Sequence, residues 1–159
     1  MKIEFTQIGI IHSPYTDPED MPIQPAGAEN VKGSVEVFEE YRPGLQDLEG
    51  FSHVILLYFF HRNRGFSLKV VPFLDSVQRG LFATRAPRRP NPIGLSVVRL
   101  DTIKDGVLYI RNIDILDNTP LLDIKPYVPD FEVQKNVRTG WLEKISQKAV
   151  NRKSDERFK

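Results

Sequence analysis

Residues 95–116 read "LSVVRLDTIKDGVLYIRNIDIL", and no other stretch restricts the fold as much. Two β-rich runs flank Lys104-Asp105-Gly106, a turn signal, so the pair is predicted to form a hairpin. The rest of the chain follows the same grammar. "IEFTQIGII" (Ile3–Ile11) is a β-rich opening, and "GSVEVF" alternates, with Val35 and Val37 on one side and Ser34 and Glu36 on the other. "HVILLYFF" (His53–Phe60) is continuously apolar, as expected of a strand buried on both faces. "RGLFATR" leads into a proline-rich segment, and "LLDIKPY" is a short strand closed by Pro126. Helix is scarce. A short helical turn fits "RPGLQDLEG", and Val137, Trp141 and Ile145 at four-residue spacing predict an amphipathic C-terminal helix. Short strands at regular intervals predict a mainly β fold: a barrel, closed or nearly so, with long loops at His12–Lys32 and Ala86–Pro92.

At 159 residues the chain is expected to be one domain over 1–159, with a helical or frayed tail from about residue 137. Cysteine is absent, which excludes disulfides, thiolate metal sites, iron–sulfur clusters and a cysteine nucleophile. The longest apolar run, Val54–Phe60, is too short to span a bilayer, and the opening residues contain no signal-peptide pattern. The expectation is a cytoplasmic protein without a membrane partner. A formal net charge of +1 does not mark a strong nucleic-acid binder, so any such contact needs a local basic patch. Two stretches qualify: the proline-rich segment and the tail "KAVNRKSDERFK". The tail also carries Asp155 and Glu156 and reads as a solvated end.

Standard nucleotide motifs are missing. No G-x-G-x-x-G or P-loop occurs, and strands do not alternate with helices as a doubly wound domain requires. His12, His53 and His61 match no metal spacing. His53, at the head of an apolar strand, reads as a satisfied imidazole. His61 ends that strand beside Arg62 and Arg64, where barrels place either ligand groups or solvent-facing residues. Asp117 and Asp123 flank "NTPLL"; turn hydrogen bonding for the first and an ion pair with Lys125 or an arginine for the second are the plain alternatives to chemistry. In "ATRAPRRPNPIG" (Ala83–Gly94), Arg85, Arg88 and Arg89 crowd around three prolines. A solvated basic loop, an anion site and a nucleic-acid contact all fit. The prolines tilt the choice toward a site, because a rigid loop loses less entropy when it orders around a ligand.

The segment "GLFATRAPRRPNPIGLSVVRL" resembles the signature of the TrmO family, also called TsaA-like, whose core runs A-T-R-[SA]-P-x-R-P-N-P-I-G. "IGIIHSPY", "LEGFSHVILLYFFHR" and "LDNTPLLDIKPYVP" resemble that family's other blocks in the same order, reaching from about Ile8 to Pro129. The resemblance implies a single-sheet β-barrel, a homodimer in most members, that binds S-adenosylmethionine without a doubly wound sheet. It implies methylation of N6 of N6-threonylcarbamoyladenosine at tRNA position 37. The implied cofactor contacts are Gln24, Pro25, Ala26, His61, Arg62, Arg85, Leu95, Ile115, Leu116, Asp117 and Asn118. Two positions depart from the family. Asn118 stands where glycine is common, and asparagine is the next residue best able to adopt positive φ. Ala86 replaces the commoner serine. Many tRNA-modifying members also carry a further C-terminal region.

These implications give a catalytic expectation. Transfer from a sulfonium needs the acceptor nitrogen, methyl carbon and sulfur in line, so positioning does most of the work. A carboxylate within reach takes the acidified N6 proton. Asp117 or Asp123 is expected in that role or in orienting the cofactor, with Arg85 stabilising charge near the acceptor or the anticodon phosphates. Arg88 and Arg89 are the RNA contacts, or Arg89 fixes the loop. No metal is implied. The alternative from a different class is an S-adenosylmethionine-binding module, or a small-molecule methyltransferase, that does not act on tRNA.

Overall fold

The computed structural model describes residues 1–22, 27–73 and 75–143. The strands are β1 (Gly9–His12), β2 (Lys32–Val37), β3 (His53–Phe59), β4 (Lys69–Val70), β5 (Arg79–Gly80), β6 (Ile93–Lys104), β7 (Val107–Arg111) and β8 (Thr119–Pro126). Six of them close an antiparallel barrel in the order β1-β2-β7-β6-β3-β8, with β8 returning to pair β1. The small β4–β5 hairpin stands apart. The predicted β6–β7 hairpin is present, with Lys104 opposite Val107. Asp105 and Gly106 both have positive φ, +52° and +79°, the turn that matches strand twist.

Alternation sets the barrel's inner face. Val35 and Val37 of β2 point inward as predicted, meeting Ile11, Val54, Leu56, Val98, Leu108, Ile110 and Leu121, all essentially excluded from solvent. The apolar run of β3 behaves differently from the expectation. Val54, Leu56 and Tyr58 face the core and Ile55 is also buried, but Leu57 is half-buried and Phe59 is 39% exposed. This strand is covered on its outer side only at its start.

Three other sequence expectations are corrected. The opening strand begins at Gly9 and not at Ile3, because the ladders with β2 and β8 begin there; Ile3 and Phe5 are exposed. "RGLFATR" forms only the two-residue β5 before turning as a 3-10 segment, Leu81–Ala83. The run after β7 leaves the sheet at Asn112 (φ +65°), and Ile113–Leu116 instead roof the barrel, all buried. The helical turn in "RPGLQDLEG" appears as 3-10 segments, Glu39–Leu45 and Leu48–Gly50. A four-residue helix, α1 (Pro129–Glu132), follows β8. Of the predicted C-terminal helix, Val137–Thr139 are not helical and Gly140–Leu142 is a 3-10 turn; its later part, with Ile145, lies outside the described residues.

The antiparallel order puts three connections at one end of the barrel: 13–31 after β1, 60–92 between β3 and β6, and 112–118 between β7 and β8. The opposite end is closed by the 3-10 segments and the two-residue β6–β7 turn, beside a cleft of about 570 Å³ lined by residues such as Arg42, Gln46 and Glu49. None of the expected site residues lines that cleft.

Candidate functional site

The three connections at the open end are tied to one another by backbone polar groups. Ser13 donates its N–H to Asp117 Oδ1 (3.1 Å) and its hydroxyl to the Ile115 carbonyl (2.6 Å). The Asp117 N–H in turn donates to the Tyr15 carbonyl (2.8 Å), and Arg62 Nη1 donates to the Thr16 carbonyl (3.1 Å). The turn itself holds because Asn118 adopts φ +58° and donates to Asp117 Oδ2 (2.7 Å), while the Thr119 hydroxyl donates to the Leu116 carbonyl (2.6 Å). Asparagine therefore keeps the left-handed geometry that glycine would have supplied. His12 lies between two carboxylates, 3.5 Å from Asp117 and 3.7 Å from Glu36.

Beneath this rim is a buried polar chain. The Ser96 hydroxyl donates to Asp114 Oδ1 (2.6 Å) and lies 3.0 Å from the Tyr58 hydroxyl. Because the one Ser96 proton goes to Asp114, Tyr58 is the donor to Ser96. The chain exists because Tyr58 faces Gly94 across the β3–β6 ladder: a Cβ at Gly94 would come within 2.2 Å of the tyrosine ring. The glycine that ends "PNPIG" is thus the space the ring fills. Asp114 is 8% exposed. Burial raises its carboxyl to about 7, against the Ser96 hydroxyl, its own backbone N–H and the Arg85 charge, all of which favour ionisation. Burial, then the Asp114 charge, lifts the Tyr58 phenol far above the ordinary range and also raises Tyr15. His61, half-buried, is lowered by burial and by neighbouring Arg62.

The proline-rich segment is rigid for identifiable reasons. Leu81 and Ala86 pack with Val70 of β4 into a small core of their own, which accounts for alanine where a hydroxyl is common. Arg89 Nη1 donates to the Thr84 and Ala86 carbonyls (3.0 and 3.3 Å), and its guanidinium sits 5.7 Å over the Phe82 ring. The later chain returns to clasp the segment: Trp141 Nε1 donates to the Ala83 carbonyl (2.8 Å), and Arg79, forked onto Asp75, lies over the Trp141 ring. Arg85 is exposed but close enough to Asp114 and Tyr58 to act on their ionisation. Arg88 carries the only buried side-chain polar atom without a hydrogen-bond partner among the described residues, its Nε. Such an orphan donor needs an acceptor from outside the segment.

The structure gathers His61, Arg62, Arg85, Ile115, Leu116, Asp117 and Asn118 on the connections of one barrel end. Leu95 stands apart on the outer wall of β6, 50% exposed. Asp123 shares the outer face with Leu57 and is paired to Lys125 (2.7 Å), the plain alternative its neighbours suggested. Gln24, Pro25 and Ala26 fall in the first connection but outside the described residues. Among the described residues no group of three or more His, Asp or Glu is placed to hold a metal. Sequence reasoning missed Asp114, Ser96, Tyr58 and Tyr15. One signal was available for Asp114: a lone carboxylate between Ile113 and Ile115 in an apolar run, since a buried polar residue is the informative exception.

Fold and mouth together define a class: a closed antiparallel barrel whose loop-borne polar site sits at one end, with no doubly wound sheet. A family model described as the tRNA-methyltransferase O N-terminal domain matches residues 10–133. The chain belongs to the TrmO family. It is 55% identical over 158 residues to a Pyrococcus abyssi protein named as a probable S-adenosyl-L-methionine-binding protein, covering 99% of this chain and 86% of that one. It is 34% identical over 137 residues to the human tRNA (adenine(37)-N6)-methyltransferase, covering 82% of this chain but 31% of the human protein. The crystal structure of TrmO from Pseudomonas aeruginosa superposes with a TM-score of 0.75 at 40% identity, over 88% of this chain and 62% of that one. The chain thus spans most of its archaeal relative but less than two thirds of the solved TrmO chain.

Proposed function

We propose that this protein is an S-adenosylmethionine-dependent methyltransferase that methylates N6 of N6-threonylcarbamoyladenosine at position 37 of a tRNA, in the cytoplasm. The observation that carries the reading is the convergence of His61, Arg62, Arg85 and the Ile115–Asn118 turn at one barrel end, in a chain whose relatives are named for S-adenosyl-L-methionine binding or as tRNA (adenine(37)-N6)-methyltransferases.

The residues present suit the cofactor. A zwitterionic sulfonium needs donors for its carboxylate and acceptors for its cationic groups. Arg85 and the unpartnered Arg88 Nε supply the first. The backbone carbonyls of the rim and the Asp117 carboxylate supply the second. When bound, the cofactor provides an activated methyl group. The chain's own contribution is to fix the angle of approach with a rim cross-linked through Ser13, Tyr15, Thr16 and Arg62, and to keep the proline-rich wall stiff through Arg89. Arg89, with its Nη1 engaged inside the segment, is assigned to holding the wall, leaving Arg85 and Arg88 for cofactor or RNA.

The acting form is proposed to be a homodimer. Leu95 and Phe59 leave exposed apolar surface on the outer face of β3 and β6, where Leu57 faces Leu95 across the ladder. A cofactor contact on that outer wall suits a site completed by a second copy.

The first test is calorimetric titration with S-adenosylmethionine, using the native protein and Arg85→Ala. Saturable binding, weakened at least about tenfold in the variant, is the expected result; no binding by the native protein removes the methyltransferase reading. A second reading, a cofactor-binding module that does not act on tRNA, is favoured by one fact. The relatives that this chain nearly spans, such as an Archaeoglobus fulgidus protein covered over 89% of its length, are named for binding alone. Affinity for tRNA that falls steeply between 50 and 200 mM salt (roughly, the range over which phosphate contacts are lost) supports the enzyme; salt-insensitive or absent binding supports the module.

A further inference from the structure

One buried carboxylate at the mouth has no structural task that its surroundings explain. Asp117 has one: its two oxygens receive Ser13 N–H and Asn118 Nδ2, and these bonds hold the first connection to the turn. Asp123 is paired to Lys125 on the outer wall. Asp114 ties no connection to another. Its partner Ser96 is a side chain of the barrel wall, and an apolar pair of the same size would fill that space without removing a charge from water.

Its surroundings come from every element at the open end. Tyr15 of the connection after β1 and Arg85 of the proline-rich segment interact with it electrostatically; Ser96 of β6 hydrogen-bonds it, and Tyr58 of β3 lies behind Ser96. Those are the titratable and charged groups that act on it, with one cation among them. The residues that follow it directly, Ile115–Asn118, are the turn assigned to the cofactor.

We propose that Asp114, and not Asp117 or Asp123, is the carboxylate that receives the proton of the acceptor nitrogen, with Ser96 and Tyr58 as positioning residues behind it. This rests on the methyltransferase reading. As the nitrogen's lone pair forms the new N–C bond, the C–S pair stays on sulfur and the N–H proton passes to Asp114. One positive charge and one negative charge disappear together, and no further reactant is needed. The Tyr58→Ser96→Asp114 chain takes up Oδ1, and the assignment gives the transferred proton to Oδ2. Arg85 favours the ionised form before transfer. A carboxyl poised close to neutrality is matched to such a task, since a base works best with its own value close to the operating pH.

The experiment is single-turnover methyl transfer to a tRNA carrying N6-threonylcarbamoyladenosine, across the neutral pH range, with the native protein, Asp114→Asn and Ser96→Ala. The native rate is expected to rise with pH and level off above a break at about 7. Asp114→Asn is expected to lose about 100-fold or more of the rate and the break with it. Its affinity for S-adenosylmethionine, read by calorimetry, stays within about threefold. Ser96→Ala keeps the carboxylate but removes a donor that favours its charged form, so the break moves to higher pH. That second arm stands whether or not the first variant folds. Transfer by Asp114→Asn within about threefold of native, or a break that ignores Ser96→Ala, overturns the assignment alone. Absence of transfer by the native protein overturns the tRNA reading and this assignment together.

Discussion

Asp114 costs the fold stability, and the cost has a pH signature. Its carboxyl is raised from 3.8 to about 7 in the folded protein, so the folded state holds the proton more tightly than the unfolded chain does. Stability therefore falls as pH rises from about 4 to about 7 and is level above that. The ceiling on this loss is on the order of 4 kcal/mol at pH 8. Asp114→Asn is expected to be more stable than the native protein at pH 8 and to show little advantage at about pH 4. Urea midpoints at the two pH values check this, and a difference that does not change with pH counts against it. A residue that weakens the fold while serving the site is a familiar trade. Asn118 shows the opposite case at the same scale: its left-handed turn was expected from the resemblance, which has glycine there, because asparagine shares enough of glycine's backbone freedom.

Among the elements, β6 carries most of the information in the chain. It pairs with both β3 and β7, brings Ser96 to the interior, and begins at Ile93 directly after the proline-rich segment. The strand itself was legible in "LSVVRL" as a β-rich run, but which residues face inward was not, since Leu95 is exposed and Ser96 is buried. Nor was the identity of Tyr58 as the partner of Gly94, because cross-strand register depends on two distant segments. The proline-rich segment is an element in its own right, held by Arg89 within and Trp141 from outside. Arg89→Ala removes both carbonyl contacts and the stacking on Phe82, and is expected to cost about 1–2 kcal/mol. Denaturant titration should show a lower midpoint with unchanged slope. A midpoint equal to the native one would return Arg89 to the pool of ligand-facing arginines.

At the scale of the molecule, closure into a barrel does two things. It removes the barrel's sheet edges, and its antiparallel order brings the connections 13–31, 60–92 and 112–118 to one end. The outer wall of β3 and β6 then remains as an apolar strip, and the proposed homodimer would cover it. Sedimentation should show a dimer that Leu95→Asp converts to monomer with loss of cofactor affinity; a native monomer at micromolar concentration argues against a shared site. The runs that became β2, β3, β6, β7 and β8, and the hairpin between β6 and β7, were determined by the sequence alone, since each rests on local periodicity and turn chemistry. The positive-φ asparagine and the signature arginines came from the resemblance of their segments to the family's. The tertiary structure decided the rest. It started β1 at Gly9, where the ladders with β2 and β8 begin, and it turned Ile113–Leu116 from strand into roof. It also set Asp123 on the outer wall and brought Asp114, Ser96 and Tyr58 into one buried chain. Those placements depend on which strand pairs with which and in what register, and no single segment contains that information.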